Sequence, residues 1–127
     1  MMHQHKRSAL MAGLLVLVLA ITAATQAAVF KGGYFKATDG TSTIGLDFDT
    51  TGAINVTVDG QAISQSTWMA KADTLTFGPV TGPEGYNCPG SAKYLWSIAD
   101  NRITFTLVAD DCQYRSNGLI NFVWMKG

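Results

Sequence analysis

Cys88 and Cys112 are the only cysteines in this 127-residue chain. Paired thiols admit three chemistries: a structural disulfide, redox exchange, or metal ligation. Redox exchange favours close spacing such as C-x-x-C, which is absent. A metal needs further ligands, and the only histidines are His3 and His5, at the extreme N-terminus. A structural disulfide is the expectation. The second chemistry on offer is that of paired carboxylates, the machinery of glycoside hydrolysis. Asp47 and Asp49 would lie about 7 Å apart along a strand. They alternate with Leu46 and Phe48, so they should point into water, and no acid–base role is expected of them. Lack of histidine in the body of the chain removes Ser-His-Asp and Cys-His catalysis, and no glycine-rich phosphate loop is present. The sequence predicts no enzyme, no cofactor and no metal site.

The N-terminus sets the compartment. Lys6 and Arg7 precede the uncharged, mostly apolar run Ser8 to Gln26, and small residues follow at Ala27 and Ala28. A basic segment, an apolar segment and a small-residue end form the pattern of a secretory signal peptide. Residues 1–28 are assigned to it, with cleavage after Ala27 or Ala28, and residues 29–127 to a single domain. The alternative is an uncleaved anchor, since Ser8 to Gln26 approaches bilayer-spanning length. No other apolar stretch does so. Export to a secreted or periplasmic location is disulfide-permissive. Removing residues 1–28 takes away both histidines and leaves seven basic against nine acidic side chains, a net charge of −2. Such a domain lacks the basic footprint of a nucleic-acid binder and the polybasic cluster of a peripheral membrane protein.

The positioning elements are legible from punctuation. Asp39-Gly40, Thr51-Gly52, Asp59-Gly60, Lys71-Ala72-Asp73, Gly78 to Gly90, Asp100-Asn101 and Asp110 to Gly118 read as seven turns or loops. They imply eight strands. Between them apolar and polar residues alternate: Ile44, Leu46 and Phe48; Ile54, Val56 and Val58; Ala92, Tyr94, Trp96 and Ile98; Ile103, Phe105 and Leu107. The last strand is expected over Leu119 to Trp124. No segment after the signal sustains a helical period, so almost no helix is expected. A meander of eight antiparallel strands favours an up-and-down barrel, because pairing the first strand with the last removes both edges. Cys88 then precedes strand six and Cys112 follows strand seven, at one end of that hairpin. Their disulfide would clip the hairpin's open ends and pin the long loop to the rim, stabilising the fold by about 3 kcal/mol.

Cys88, Gly90, Tyr94-x-Trp96, Ile103-x-Phe105, Asp110-Asp111-Cys112-x-x-Arg115 and Trp124 together resemble small secreted bacterial lipocalin-like (calycin-type) domains. Gly32-Gly33-Tyr34 is similar to the glycine-aromatic start of that superfamily, with Tyr34 where its signature has tryptophan. The resemblance implies the eight-stranded barrel and places Arg115 over the first-strand aromatic near the closed end. The alternative for Arg115 is a solvated loop residue, and Asp111 is its nearest candidate partner in sequence.

A barrel of this size either encloses one small molecule or is filled by its own side chains. The first expectation is a non-enzymatic barrel that binds a small hydrophobic or aromatic ligand through Tyr34, Phe48, Met69, Phe77, Tyr94, Trp96 and Phe105, with Leu46, Val56, Leu75 and Leu107 also inward. The second is a protein-binding barrel. Gly90 to Tyr94 resembles the serine-bearing loop of periplasmic lysozyme inhibitors, with Ala92 where glycine normally follows the serine, and Tyr86 and Ser91 are the candidate protein-contact residues. The third is a structural envelope protein with a filled core. In each, the stretch Gly78 to Asn87 is the one long aromatic-bearing loop.

Overall fold

A computed structural model describes residues 29–127; the segment assigned to the signal peptide lies outside the described residues. Eight antiparallel strands close into an up-and-down barrel in sequence order, so the expected architecture is correct. The strands are β1 (Gly33–Asp39), β2 (Ser42–Phe48), β3 (Ala53–Val58), β4 (Gln61–Lys71), β5 (Thr74–Phe77), β6 (Ala92–Ala99), β7 (Arg102–Ala109) and β8 (Trp124–Lys126). One helix, α1 (Gln113–Asn121), stands between β7 and β8. No helix of the described residues is long and apolar enough to cross a membrane.

The hairpins are tight because the turn residues accept the backbone the twist requires. Val58 pairs with Gln61 and Ala99 with Arg102, leaving Asp59-Gly60 and Asp100-Asn101 as two-residue loops with positive φ at both positions. That is the hairpin geometry whose twist matches the flanking strands, and Asp, Asn and Gly tolerate it best. Ala72 holds φ 54° in the β4–β5 turn, where a Cβ is disfavoured by about 1 kcal/mol. Replacing Ala72 with Gly is therefore expected to stabilise the fold by about 0.5 kcal/mol, net of glycine's unfolded-state entropy. A rise in the urea midpoint at unchanged slope checks it.

Consecutive turns alternate between the two ends of the barrel. One end, carrying the β2–β3, β4–β5 and β6–β7 turns, is stoppered by aromatic rings. Phe30, just ahead of β1, sits with its ring centroid 5.1 Å from Phe48, 5.2 Å from Trp68 and 5.2 Å from Trp96. The indoles satisfy their N–H groups on turn carbonyls: Trp68 donates to Asp49 at 2.8 Å and Trp96 to Ala72 at 3.0 Å. Above this stopper Phe35, Leu75, Phe77, Tyr94, Ile103 and Phe105 form a buried core. The opposite end carries the β1–β2 and β3–β4 turns, the long β5–β6 loop and the start of α1.

Several sequence expectations need correction. Tyr34 and Met69 face outward, not inward. Residues directly opposed on antiparallel strands share a face, and Phe35 opposes Leu46 while Tyr34 opposes Asp47. The Tyr34 ring instead lies on the outer surface across Gly45, where an added Cβ would strike it and Thr57. In β4, Trp68 opposes Phe77 and Ala70 opposes Leu75, which turns Met69 to solvent at 69% exposure. Leu107 and Ile98 are exposed as well. β8 pairs with β7 only at Arg102 and Ile103, so nothing in the sheet shields Leu107 on that side. Strand eight begins at Trp124, whereas Leu119 belongs to α1.

The helix was not expected. Gln113–Asn121 contains Ser116, Asn117 and Gly118, poor helix formers, and its N-cap Cys112 makes no side-chain cap bond. Tertiary contacts hold it instead. The Cys88–Cys112 disulfide anchors its start, with Cα atoms 5.7 Å apart. Arg115 and Leu119, one turn apart, are its buried residues. Trp124 donates its indole N–H to the Gly118 carbonyl at 3.1 Å.

Candidate functional site

The open end of the barrel holds a cavity of about 660 Å³, within the range of small-molecule sites. Its position follows from side-chain size. Large aromatics fill the inward positions near the stopper. Toward the mouth β2 and β3 offer Ile44, Leu46, Val56 and Val58, and β4 turns Ser64 and Ser66 inward, so the rings below have no counterpart above. Leu46 and Ile54 are the deepest wall residues of β2 and β3, Phe77 lines the cavity from the mouth-side end of β5, and Leu119, Phe122 and Trp124 complete the wall on the helix side. Ile63 reaches the cavity through a register shift of the β3–β4 pair between Val56 and Thr57.

The β5–β6 loop makes part of the mouth and is not a loose flap. Gln65 and Thr81 exchange backbone hydrogen bonds at 2.9 and 2.8 Å, and Val80 and Cys88 do so at 2.7 and 2.9 Å. The disulfide then joins this loop to α1, which fulfils the expected clip. Tyr86 from the loop meets Tyr114 from α1 edge-on, ring centroids 5.4 Å apart, and both line the cavity. Ser91 is exposed at the start of β6.

Beneath the mouth lies a buried polar cluster. The guanidinium of Arg115 is 6% exposed and the Asp110 carboxylate 0%. Arg115 donates from Nε to Asp110 Oδ2 at 2.8 Å and from Nη2 to Asp110 Oδ1 at 2.9 Å, a bidentate pair. It also donates to the carbonyls of Gly78 and Gly90, each at 3.0 Å. Asp110 accepts in addition from the Tyr94 hydroxyl at 2.5 Å and from the Cys112 backbone N–H at 2.9 Å. Burial pushes the Asp110 carboxyl up, but the bonds from Arg115, Tyr94 and Cys112 outweigh it and hold the group below its ordinary value. Burial pushes the Tyr94 phenol well above its ordinary value, and the Asp110 carboxylate adds to this. Arg115 is therefore neither solvated nor at the closed end. It ties α1 to both ends of the β5–β6 loop at the open end, and its partner is Asp110 rather than Asp111.

Of the aromatic residues expected to line a pocket, only Phe77 does so. Phe48, Tyr94 and Phe105 are buried in the core below, Trp96 belongs to the stopper, and Tyr34 and Met69 lie outside. The aliphatic wall was visible as the inward faces of β2 and β3. The contribution of α1 and its C-cap, with Tyr114, Leu119 and Phe122, was not, because Asp110 to Gly118 carries loop residues and Leu119 to Trp124 a strand-like apolar run. Asp47 is exposed on the outer face of β2. Asp49 accepts from the Thr51 N–H at 2.7 Å and hydroxyl at 2.9 Å, bonds that lower its carboxyl pKa.

Fold and site together define a closed eight-stranded antiparallel barrel with one end stoppered and the other opening on an apolar cavity. No protein-family model, no curated protein and no solved structure matches the chain.

Proposed function

We propose that this is an exported, non-enzymatic barrel of calycin-like type that holds one small apolar molecule in its open end. The observation that carries the reading is the cavity itself. Its wall is built mainly from Ile44, Leu46, Ile54, Val56, Leu119 and Phe122, and such a surface gains by excluding water around an apolar guest. Phe30 and the tryptophans block passage through the far end, so the guest enters and leaves by the mouth between Tyr86 and the β1–β2 turn. The filled-core alternative describes the lower half of the barrel well but leaves the upper half unexplained.

Fluorescence titration with the neutral apolar probe N-phenylnaphthylamine tests this. Saturable uptake of one probe per chain is expected. Val56→Trp, which projects an indole into the cavity, should weaken uptake by at least about tenfold, equivalent to about 1.4 kcal/mol. Its effect on the thermal midpoint should be small, since the added ring enters space the fold leaves open. Absence of saturable uptake by the unmodified protein would overturn the proposal.

A further inference from the structure

We infer that the cavity selects a neutral amphiphile with a hydrogen-bond-accepting head, such as a ketone or ester, in preference to a carboxylate; this rests on the ligand-binding reading above. Only two residues lining the cavity are charged, Asp39 at the rim and Arg115. The charge of Arg115 is already cancelled by the bidentate contact with Asp110. An ionised carboxylate entering the cavity would shed its water and meet no free cation, with Asp39 repelling it at the rim.

Unsatisfied donors remain, however. A guanidinium carries five N–H groups, and the bonds to Asp110, Gly78 and Gly90 occupy four of them. The fifth belongs to Nη1. Nη1 and the Ser66 hydroxyl both donate to the Gly78 carbonyl, at 3.0 and 2.9 Å, and Arg115 and Ser66 both line the cavity. That shared acceptor sets Nη1 beside the hydroxyl of Ser66, a residue of the cavity wall. A second donor comes from the Ser64 and Tyr114 hydroxyls, 3.3 Å apart. Where Ser64 donates to Tyr114, the Tyr114 proton is left over, and Tyr114 stands in the cavity wall. Ser64 is 3% exposed and points into the barrel, so water has little access to it. The wall thus presents two donors of low net charge beside an aliphatic chamber. A carbonyl oxygen can accept from either, with its alkyl chain along β2 and β3.

The test is displacement of N-phenylnaphthylamine at neutral pH by an alkane, a methyl ketone and a fatty acid of one chain length. The ketone is expected to bind at least tenfold tighter than the ionised fatty acid. Tyr114→Phe should weaken the ketone about fivefold, the scale of one neutral hydrogen bond, and leave the alkane unchanged. A fatty acid that binds as tightly as the ketone would overturn the head-group inference while the cavity reading stands. So would a Tyr114→Phe protein that loses ketone and alkane alike. If neither the probe nor any of the three binds, both proposals fall. The ketone-to-acid ranking is read on the unmodified protein, so it decides even where the variant folds poorly.

Discussion

Replacing Arg115 with Ala is expected to destabilise the domain by about 3–5 kcal/mol, the cost of breaking a buried ion pair by removing one partner. In a domain of this size that lowers the thermal midpoint by roughly 12 °C or more. The loss is large because Arg115 serves three segments at once. Without it Asp110 stays buried with a charge compensated only by the Tyr94 hydroxyl and the Cys112 N–H, and the Gly78 and Gly90 carbonyls lose a donor. Asp110→Asn should cost less, since an amide can still accept from Tyr94 and Arg115. The same cluster fixes the pH response. The Asp110 pKa is lowered by folding, so its contribution is present above the unfolded value of about 4 and is lost as pH falls through the folded value. The Tyr94 pKa is raised, so its contribution is complete below about pH 10 and declines as pH rises further. Urea denaturation from pH 2 to 11 should therefore show a plateau falling at both extremes. In Arg115→Ala the acid-side fall should shrink or reverse, because burial then raises the folded Asp110 carboxyl above its unfolded value and protonation relieves the buried charge. A midpoint within a few degrees of the parent would contradict this account of the cluster.

Removing the disulfide by Cys88→Ala with Cys112→Ala should cost about 3 kcal/mol, the loop-closure value for its sequence separation of 24. The effect reaches beyond stability. Cys88 lies at the end of the loop segment paired to Val80, and Cys112 caps α1, so the bond joins two walls of the cavity mouth. Its loss should weaken uptake of N-phenylnaphthylamine several-fold even at temperatures where the double variant remains folded. Arg115 still links the same loop to α1 in that variant, so the two deletions share a partner and should be non-additive. Calorimetry of the four proteins measures this directly, and simple additivity would separate the disulfide from the Arg115 cluster.

The barrel was legible because its information is local. Eight strands, seven connections and a staple at one end of the β6–β7 hairpin follow from two-residue periodicity, turn residues and the cysteine positions. Register was harder. Tyr34 and Met69 are large and apolar and invite an inward reading, yet pairing assigns the inward faces to Phe35, Trp68 and Ala70. A slip of one residue exchanges the faces of a whole strand. The site was legible only in part. Aromatic residues attract attention as ligand contacts, but in a barrel this small they fill space, and the cavity forms where side chains are smaller. Helix α1 was hidden because its propensity is weak and its stabilising contacts come from Arg115, Leu119, Trp124 and the disulfide, all of them long-range or beyond the segment. Phe30 carries no pattern at all; only the closed barrel shows that its ring completes the stopper.

A guest held in the open end should travel with the native protein. Native mass spectrometry of the chain, purified without detergent from the cells that make it, tests this most directly. A reproducible added mass of one neutral organic molecule per chain is expected, released on denaturation and missing from Val56→Trp. A bare mass from the native protein, unchanged after incubation with N-phenylnaphthylamine or a medium-chain methyl ketone, would contradict it.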